Sequence, residues 1–149
     1  MGENNQVVVH YVDGKIMKGT TQDFFPNRTS FHLIPLDGGS GLEVRTKQLK
    51  AVFFVRDFTG DPHRKDFVGF LAGPGETAQG KKIAVLFRDG ELMCGYSLSF
   101  SPERQGFFIF PADTSSNNLR VYVLTTAALE VRAGAAADTL VDRVMKKSA

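Results

Sequence analysis

The feature that most constrains this chain is an internal duplication. Displacing the sequence by 76 residues places Asp13-Gly14 on Asp89-Gly90, Ile16-Met17 on Leu92-Met93 and Gly19 on Gly95. It also places Pro26 on Pro102, Arg28 on Arg104, Phe31 on Phe107, Pro35 on Pro111 and Asp37 on Asp113. One inserted residue then brings Leu42-Glu43-Val44 onto Leu119-Arg120-Val121, and a second small insertion brings Leu49 near Leu129. Gly, Pro and Asp punctuate backbone geometry, so their coincidence is a coincidence of turns. Residues 6–58 and 82–133 are expected to be two copies of one unit, joined by a linker over 59–81 and followed by a tail over 134–149.

Each copy reads as a meander of short strands. The first, 6–12 or 83–88, ends in Asp-Gly, a strong hairpin signal that predicts a two-residue turn with positive φ. The second, 15–24 or 91–100, carries Gly19 or Gly95 in its middle, where a bulge or a tight bend is the usual cause. A Pro-containing turn leads to a third strand closed by Pro35 or Pro111. A polar loop precedes the fourth strand, and Thr46-Lys47-Gln48 or Thr125–128 is read as a single 3-10 turn before the fifth. Five short strands with a bent second member predict a small SH3-like or Sm-like barrel, because so short a sheet hides its edges by curling. The expected fold class is all-β: two tandem five-stranded barrels with a short C-terminal helix. Two such units packed as a pseudo-twofold pair bury more surface than either alone. Two beads on a linker are the alternative.

Composition fits a folded chain. Hydrophobic residues make up 42% and charged residues 23% of the 149, and 13 Phe suit the interior of small sheets. The net charge of +2 is too small to argue for nucleic acid by itself. The basic excess lies in the first copy and the tail, since the second copy balances. Met1-Gly2-Glu-Asn-Asn-Gln has no apolar leader pattern and no run approaches a membrane span, so the expectation is a cytoplasmic, bacterial-type protein without a membrane partner. Within the linker, the apolar residues 67–71 are expected to pack, and Gly73, Gly75 and Gly80 match no phosphate-binding pattern. In the tail, Asp138 or Thr139 can cap a helix with Leu140, Val141, Val144 and Met145 on one stripe, which either docks on a barrel or meets a partner chain.

Chemistry is sparse. Cys94 is alone, beside Gly95 in a strand, and reads as a buried inert thiol. His10, His32 and His63 are scattered and give no metal-ligand spacing. There is no nucleophile elbow, and hairpin geometry accounts for Asp13 and Asp89. The expectation is a non-enzyme without cofactor or metal. What exceeds turn geometry is a polar cluster of Asp23, Asn27 and Arg28 at a strand end, its repeat Arg104, and a basic run of Arg45, Lys47 and Lys50 in the first copy only. Exposed Phe beside such cations can stack bases; the plainer reading is a solvated rim over a Phe core.

Two resemblances bear on these residues. Val7-Val-Val-His-Tyr-Val-Asp13-Gly14-Lys-Ile-Met-Lys-Gly19, followed by Asp23 and Asn27, resembles the first motif of Sm-like RNA-binding barrels. That likeness implies the barrel fold and an RNA-contacting loop at Asp23 and Asn27. Gly19 stands closer to Asp23 than in that family, the second copy has Ser99 and Glu103 instead, and the family's Arg-Gly second motif and N-terminal helix are absent. Lys18-Gly-Thr-Thr-Gln-Asp-Phe-Phe-Pro-Asn27 with Phe31-His-Leu33 looks more like an uncharacterised bacterial domain found beside PilZ domains in signalling proteins. It implies a regulatory binding module. The PilZ cyclic-dinucleotide motif itself is absent. The expected function is therefore a non-catalytic regulatory or protein-interaction module with a protein partner; RNA or single-stranded nucleic-acid binding through the first copy is the alternative. A specific site is expected where the copies disagree, as at Asp23/Ser99, Asn27/Glu103 and Arg45/Tyr122.

Overall fold

A computed structural model of the chain describes residues 5–36, 38–58, 76–77, 80–98, 100–101, 103–112 and 117–148. The expected packing of residues 67–71, the Gly73–Gly75 turn and His63 lie outside them. The first copy contributes β1 (Asn5–Tyr11), β2 (Ile16–Thr21), β3 (Ser30–Pro35), β4 (Leu42–Arg45), a 3-10 turn (Thr46–Gln48) and β5 (Leu49–Val55). A two-residue strand β6 (Glu76–Thr77) precedes the second copy. That copy contains β7 (Gly80–Phe87), β8 (Leu92–Ser97), β9 (Gly106–Pro111), β10 (Asn118–Leu124), a 3-10 turn (Thr125–Ala127) and β11 (Ala128–Ala133). Helix α1 (Ala135–Ser148) ends the chain.

The strands form one open antiparallel sheet in the order β11-β7-β8-β9-β10-β5-β1-β2-β3-β4, with β6 on β7. The expected strand content and helix are present, but the two five-strand sets do not each close into a barrel: among the described residues, the fifth strand of copy one pairs with the fourth strand of copy two. That joint satisfies an edge of each copy at once, so neither has to curl onto itself there.

Alternation along the strands explains the joint. In β1–β5, Val7 faces Phe54 and Val9 faces Val52, whereas Val8 faces Phe53 and His10 faces Ala51. Across the joint, Phe53 and Ala51 meet Val121 and Val123, while Phe54 and Val52 meet Arg120 and Tyr122. Directly paired residues share a face, so β5, with β1 along one edge and β10 along the other, has residues of both copies beside it on each of its faces. Every residue of β5 is accordingly buried. The main core runs through both copies without a break. Over the joint, Phe24 makes edge-on ring contacts with Phe31, Phe54, Phe108 and Tyr122 at centroid distances of 5.1, 5.4, 6.2 and 5.1 Å.

Three local expectations are refined. The Asp-Gly hairpins are three-residue loops, not two-residue type I′ turns. Gly14 N–H donates to Tyr11 O, Tyr11 N–H donates to Lys15 O, and Gly14 has φ +94°, while Asp13 stays at negative φ. Copy two repeats this at Phe87, Gly90 and Glu91. This is the pattern of a turn followed by a glycine bulge. The mid-strand glycines serve close approach: a Cβ on Gly19 would collide with Ile34 O, and one on Gly95 with Phe110 O. Finally, Phe31 pairs with Val44 while Phe107 pairs with Val123, and the two 3-10 turns start at Thr46 and Thr125. The copies are thus offset by 79 residues from the fourth strand onward, the extra residues all lying in the loop before it. Glu43, not Arg45, is the counterpart of Tyr122, and Leu49 is the counterpart of Ala128.

Helix α1 docks on its own copy. Ala137, Leu140 and Val141 are buried against Ala84, with Leu86, Leu92, Cys94 and Val144 packed around them. Met145, the last member of the expected stripe, stays 48% exposed. No helix among the described residues is long and apolar enough to cross a membrane.

Candidate functional site at the joint between repeats

The turn after β2 leans across the joint and is caught by copy two. Gln105 Nε2 donates to Pro26 O at 2.8 Å and to Arg28 O at 2.9 Å. Tyr122 Oη donates to Pro26 O at 3.3 Å. Thr46 Oγ1, bonded to Thr29 O at 3.1 Å, also reaches Gln105 Oε1 at 3.5 Å. These contacts leave a groove of about 300 Å³ lined by Pro26, Asn27, Arg104, Gln105, Gly106 and Tyr122. Gly106 is required beneath it, because a Cβ there would lie 2.6 Å from the Tyr122 ring. Burial raises the Tyr122 pKa above the ordinary phenol value, against the opposing pull of Gln105 and the Arg104 charge. The phenol is therefore a neutral hydrogen-bonding wall.

Two of the six residues singled out by sequence, Asn27 and Arg104, line this groove from different copies, and the main-chain carbonyl of a third, Arg28, accepts from Gln105 beside it. The Arg28 guanidinium lies 5.0 Å from the Phe25 ring centroid, with Phe25 44% exposed. Arg45 and Lys47 flank Thr46 in sequence; Arg45 pairs with Glu43 at 3.7 Å on the exposed β4 edge. Asp23 is occupied elsewhere. Its Oδ1 accepts from His32 N at 2.8 Å and Thr21 Oγ1 at 3.2 Å, and its Oδ2 meets His32 Nδ1 at 2.7 Å. Burial pushes the Asp23 pKa up, but the bonds from His32 and Thr21 outweigh it and hold the carboxyl below its ordinary value.

Sequence reasoning missed Gln105 and named Tyr122 only as a divergent position set against Arg45, not as a wall of the groove, because nothing in a lone sequence says that copy two's β10 abuts copy one's β5. It also missed a second constellation at the joint. Lys50, whose side chain is 10% exposed, bonds Asp89 Oδ2 at 2.7 Å and also bonds Glu91, with its ammonium 4.6 Å from the Phe87 ring centroid. His10 packs at a tilt on Phe53 nearby, with ring centroids 4.4 Å apart, and burial, then the Lys50 charge, lower its pKa. The signal available was a disagreement between copies: Lys50 corresponds to the apolar Leu129. Among the described residues no group of three or more His, Cys, Asp or Glu is placed to hold a metal ion.

A family model covering residues 3–134 matches the chain, spanning both repeats and ending before α1. The chain belongs to the DUF6982 family. That is a family of unknown function. Because one DUF6982 model runs through both copies, the joined pair, not the single repeat, is the family's unit, and the groove between the repeats lies inside it. No curated protein and no solved structure matches the chain.

Proposed function

We propose that this protein is a non-catalytic interaction module that takes an acidic segment of a partner protein into the groove between its repeats. The observation that carries this is the convergence of Asn27 and Arg104 from the two copies on one groove, with the Arg28 main chain held beside it by Gln105. Guanidinium groups give planar, forked recognition of carboxylates, and the Asn27 and Gln105 amides add directional bonds. Among the described residues that line the groove there is no carboxylate, imidazole or thiol to serve as base or nucleophile. A regulatory role accords with the resemblance to domains that accompany PilZ domains. Arg28 over the exposed Phe25 favours one second reading, in which a single-stranded nucleic acid stacks on Phe25 and pairs its phosphates with the cations.

The test is calorimetric titration with a Glu/Asp-rich peptide and with an oligouridine, each at low and high salt. The protein reading expects peptide binding that weakens about tenfold or more in Arg28→Ala/Arg104→Ala, while an oligouridine binds weakly or not at all. Tight oligouridine binding with a steep salt dependence supports the nucleic-acid reading. Peptide binding that is undetectable, or unaffected by the double substitution, overturns the proposal.

A further inference from the structure

The duplication allows each surface of one copy to be compared with its counterpart in the other, and one pair differs in occupancy. In copy one, Val7 pairs with Phe54, and Phe54 is covered by β10, with Phe108 at 5.9 Å and the Arg120 guanidinium at 4.6 Å. In copy two the equivalent pairing is Ile83 with Ala133. Phe100 lies 4.9 Å from Phe107 there, as Phe24 lies 5.1 Å from Phe31. Where copy one has the Phe54 ring and the rings of β9 and β10, copy two has a small side chain and an opening. A cavity of about 260 Å³ lies there, lined by Ile83, Phe100, Ala133, Leu98, Ser97 and Lys81 among others. Beside it β11 is an edge strand, paired only with β7 among the described residues. Leu129 on β11 is 61% exposed and Leu98 is 74% exposed, whereas Lys50, the counterpart of Leu129, is 8% exposed inside the joint.

From this we infer that the open end of copy two is a second docking site, which takes an extended segment of a partner protein as an added antiparallel strand on β11. The chain displays the kind of segment that fits. At the joint, the residue facing Val52 is Tyr122 and the residue facing Phe54 is Arg120. Their counterparts on β11 are Val131 and Ala133. A docking strand therefore places an aromatic side chain opposite Val131 or Ala133, filling the space left by the Phe54-to-Ala133 difference. Main-chain bonds along the edge supply affinity and the pocket supplies specificity, the general logic of strand addition.

A second copy of this chain fits poorly. The strand it would offer is β4, which carries Glu43 where β10 carries Tyr122, and its neighbour β3 carries His32 where β9 carries Phe108. β4 is also only four residues long against seven for β10, and glycine and serine (39–41) replace the part of β10 that crosses Phe54. The occupant is thus an aromatic-bearing segment of another protein.

The test uses the full chain and a synthetic peptide with the sequence of residues 117–124, followed by fluorescence anisotropy and by amide chemical shifts. The expected result is binding that shifts the β11 amides, weakens about tenfold when the peptide carries Tyr122→Ala, and is lost in the protein variant Ala133→Phe, which fills the pocket as Phe54 fills its counterpart. That variant should melt at or above the parent temperature, so loss of binding is not loss of fold. No binding at millimolar peptide, binding that persists in Ala133→Phe, or self-association of the parent that Ala133→Phe abolishes would each overturn the inference. Arg28 and Arg104 lie away from this edge, so Arg28→Ala/Arg104→Ala leaves peptide binding here unchanged and the two sites fail or stand separately.

Discussion

Lys50 Nζ lies 2.7 Å from Asp89 Oδ2 and ties the fifth strand of the first repeat to the β7–β8 hairpin of the second. Glu91 is its other partner. Burial alone would lower the Lys50 pKa, yet the bonds and charges of Asp89 and Glu91 raise it above the ordinary lysine value. Asp89 is correspondingly held below the ordinary carboxylate value, chiefly by its bond from Lys50. This contact belongs to the internal joint alone, because Leu129 stands at the equivalent place at the free end.

Replacing Lys50 with Ala should destabilise the chain by about 1–2 kcal/mol at neutral pH. The figure is well below that for a fully buried pair, because Asp89 and Glu91 are 55% and 49% exposed and stay hydrated when abandoned. The sign of the pH dependence follows from Asp89. With its native pKa depressed, its contribution is present above the ordinary carboxylate value near 3.8 and disappears as pH falls through the lowered native value. Urea denaturation of parent and Lys50→Ala across the acid range measures both, and the two curves should converge at the acid end. Parallel curves would show that the pair is fully solvated.

His32 and Asp23 give a second titration with no part in the joint. His32 is exposed, and its pKa is raised above 6.5 by its side-chain bond from Nδ1 to Asp23 and by that carboxylate's charge. A raised histidine stabilises the fold below its ordinary pKa and ceases to do so as pH rises through the native value. An NMR titration should place His32 above His10, which burial lowers. In Asp23→Asn the His32 midpoint should return toward its ordinary value. Equal midpoints for His10 and His32 would contradict the geometry.

Much of this architecture is legible in the residues, and the illegible part has one cause. Asp13-Gly14, Gly19, Pro35 and Thr46 act through their own backbone, so their spacing survives in the sequence and reveals the repeat. Asn27, Arg28 and Arg104 are visible as chemistry for the same local reason. The joint is different. Phe53 and Phe54 both read as core residues, and nothing local says that each lies between a strand of one repeat and a strand of the other. In the sequence Tyr122 falls opposite Arg45 because apolar triplets look alike when slid by two residues; the Phe31–Val44 and Phe107–Val123 pairings fix the frame. Pairing the divergent positions correctly requires the register.

Gly19 and Gly95 make the bend of β2 and β8 testable. A methyl at either position meets a carbonyl oxygen of the neighbouring strand, Ile34 or Phe110, and backbone cannot swing aside as a side chain can. Gly19→Ala or Gly95→Ala should therefore cost about 2–3 kcal/mol, in the range of other strained or overpacked sites, although neither glycine has a positive φ. The comparison is Gly14→Ala, where there is open space around the Cβ but φ is +94°; its cost, of about 1–2 kcal/mol, is conformational. Chemical denaturation of the three variants distinguishes crowding from conformation. Gly19→Ala should also weaken β2–β3 amide protection, which Gly14→Ala should leave intact.

Helix α1 covers a face of copy two that its own strands leave apolar, and Cys94 reports on that cover. Leu140 is 1% exposed and packs with Ala137 and Val141 over Ala84, Leu86, Leu92 and Cys94. Arg143 Nη2 pairs with Glu130 Oε2 on β11 and Lys82 Nζ lies 3.3 Å from Asp138 Oδ1, so ion pairs pin both ends of the contact. Leu140→Ala leaves a void in a thin layer that can partly collapse, so its expected cost is about 2–3 kcal/mol, at the low end for a buried leucine. The helix should detach before the sheet melts, because β7 keeps its pairings with β8 and β11 whether or not α1 is docked. Thiol labelling measures this directly. Cys94 in Leu140→Ala should react several-fold faster than in the parent at denaturant concentrations where the sheet's circular dichroism is unchanged. Labelling that accelerates only with the loss of the sheet signal would show that helix and sheet unfold as one unit.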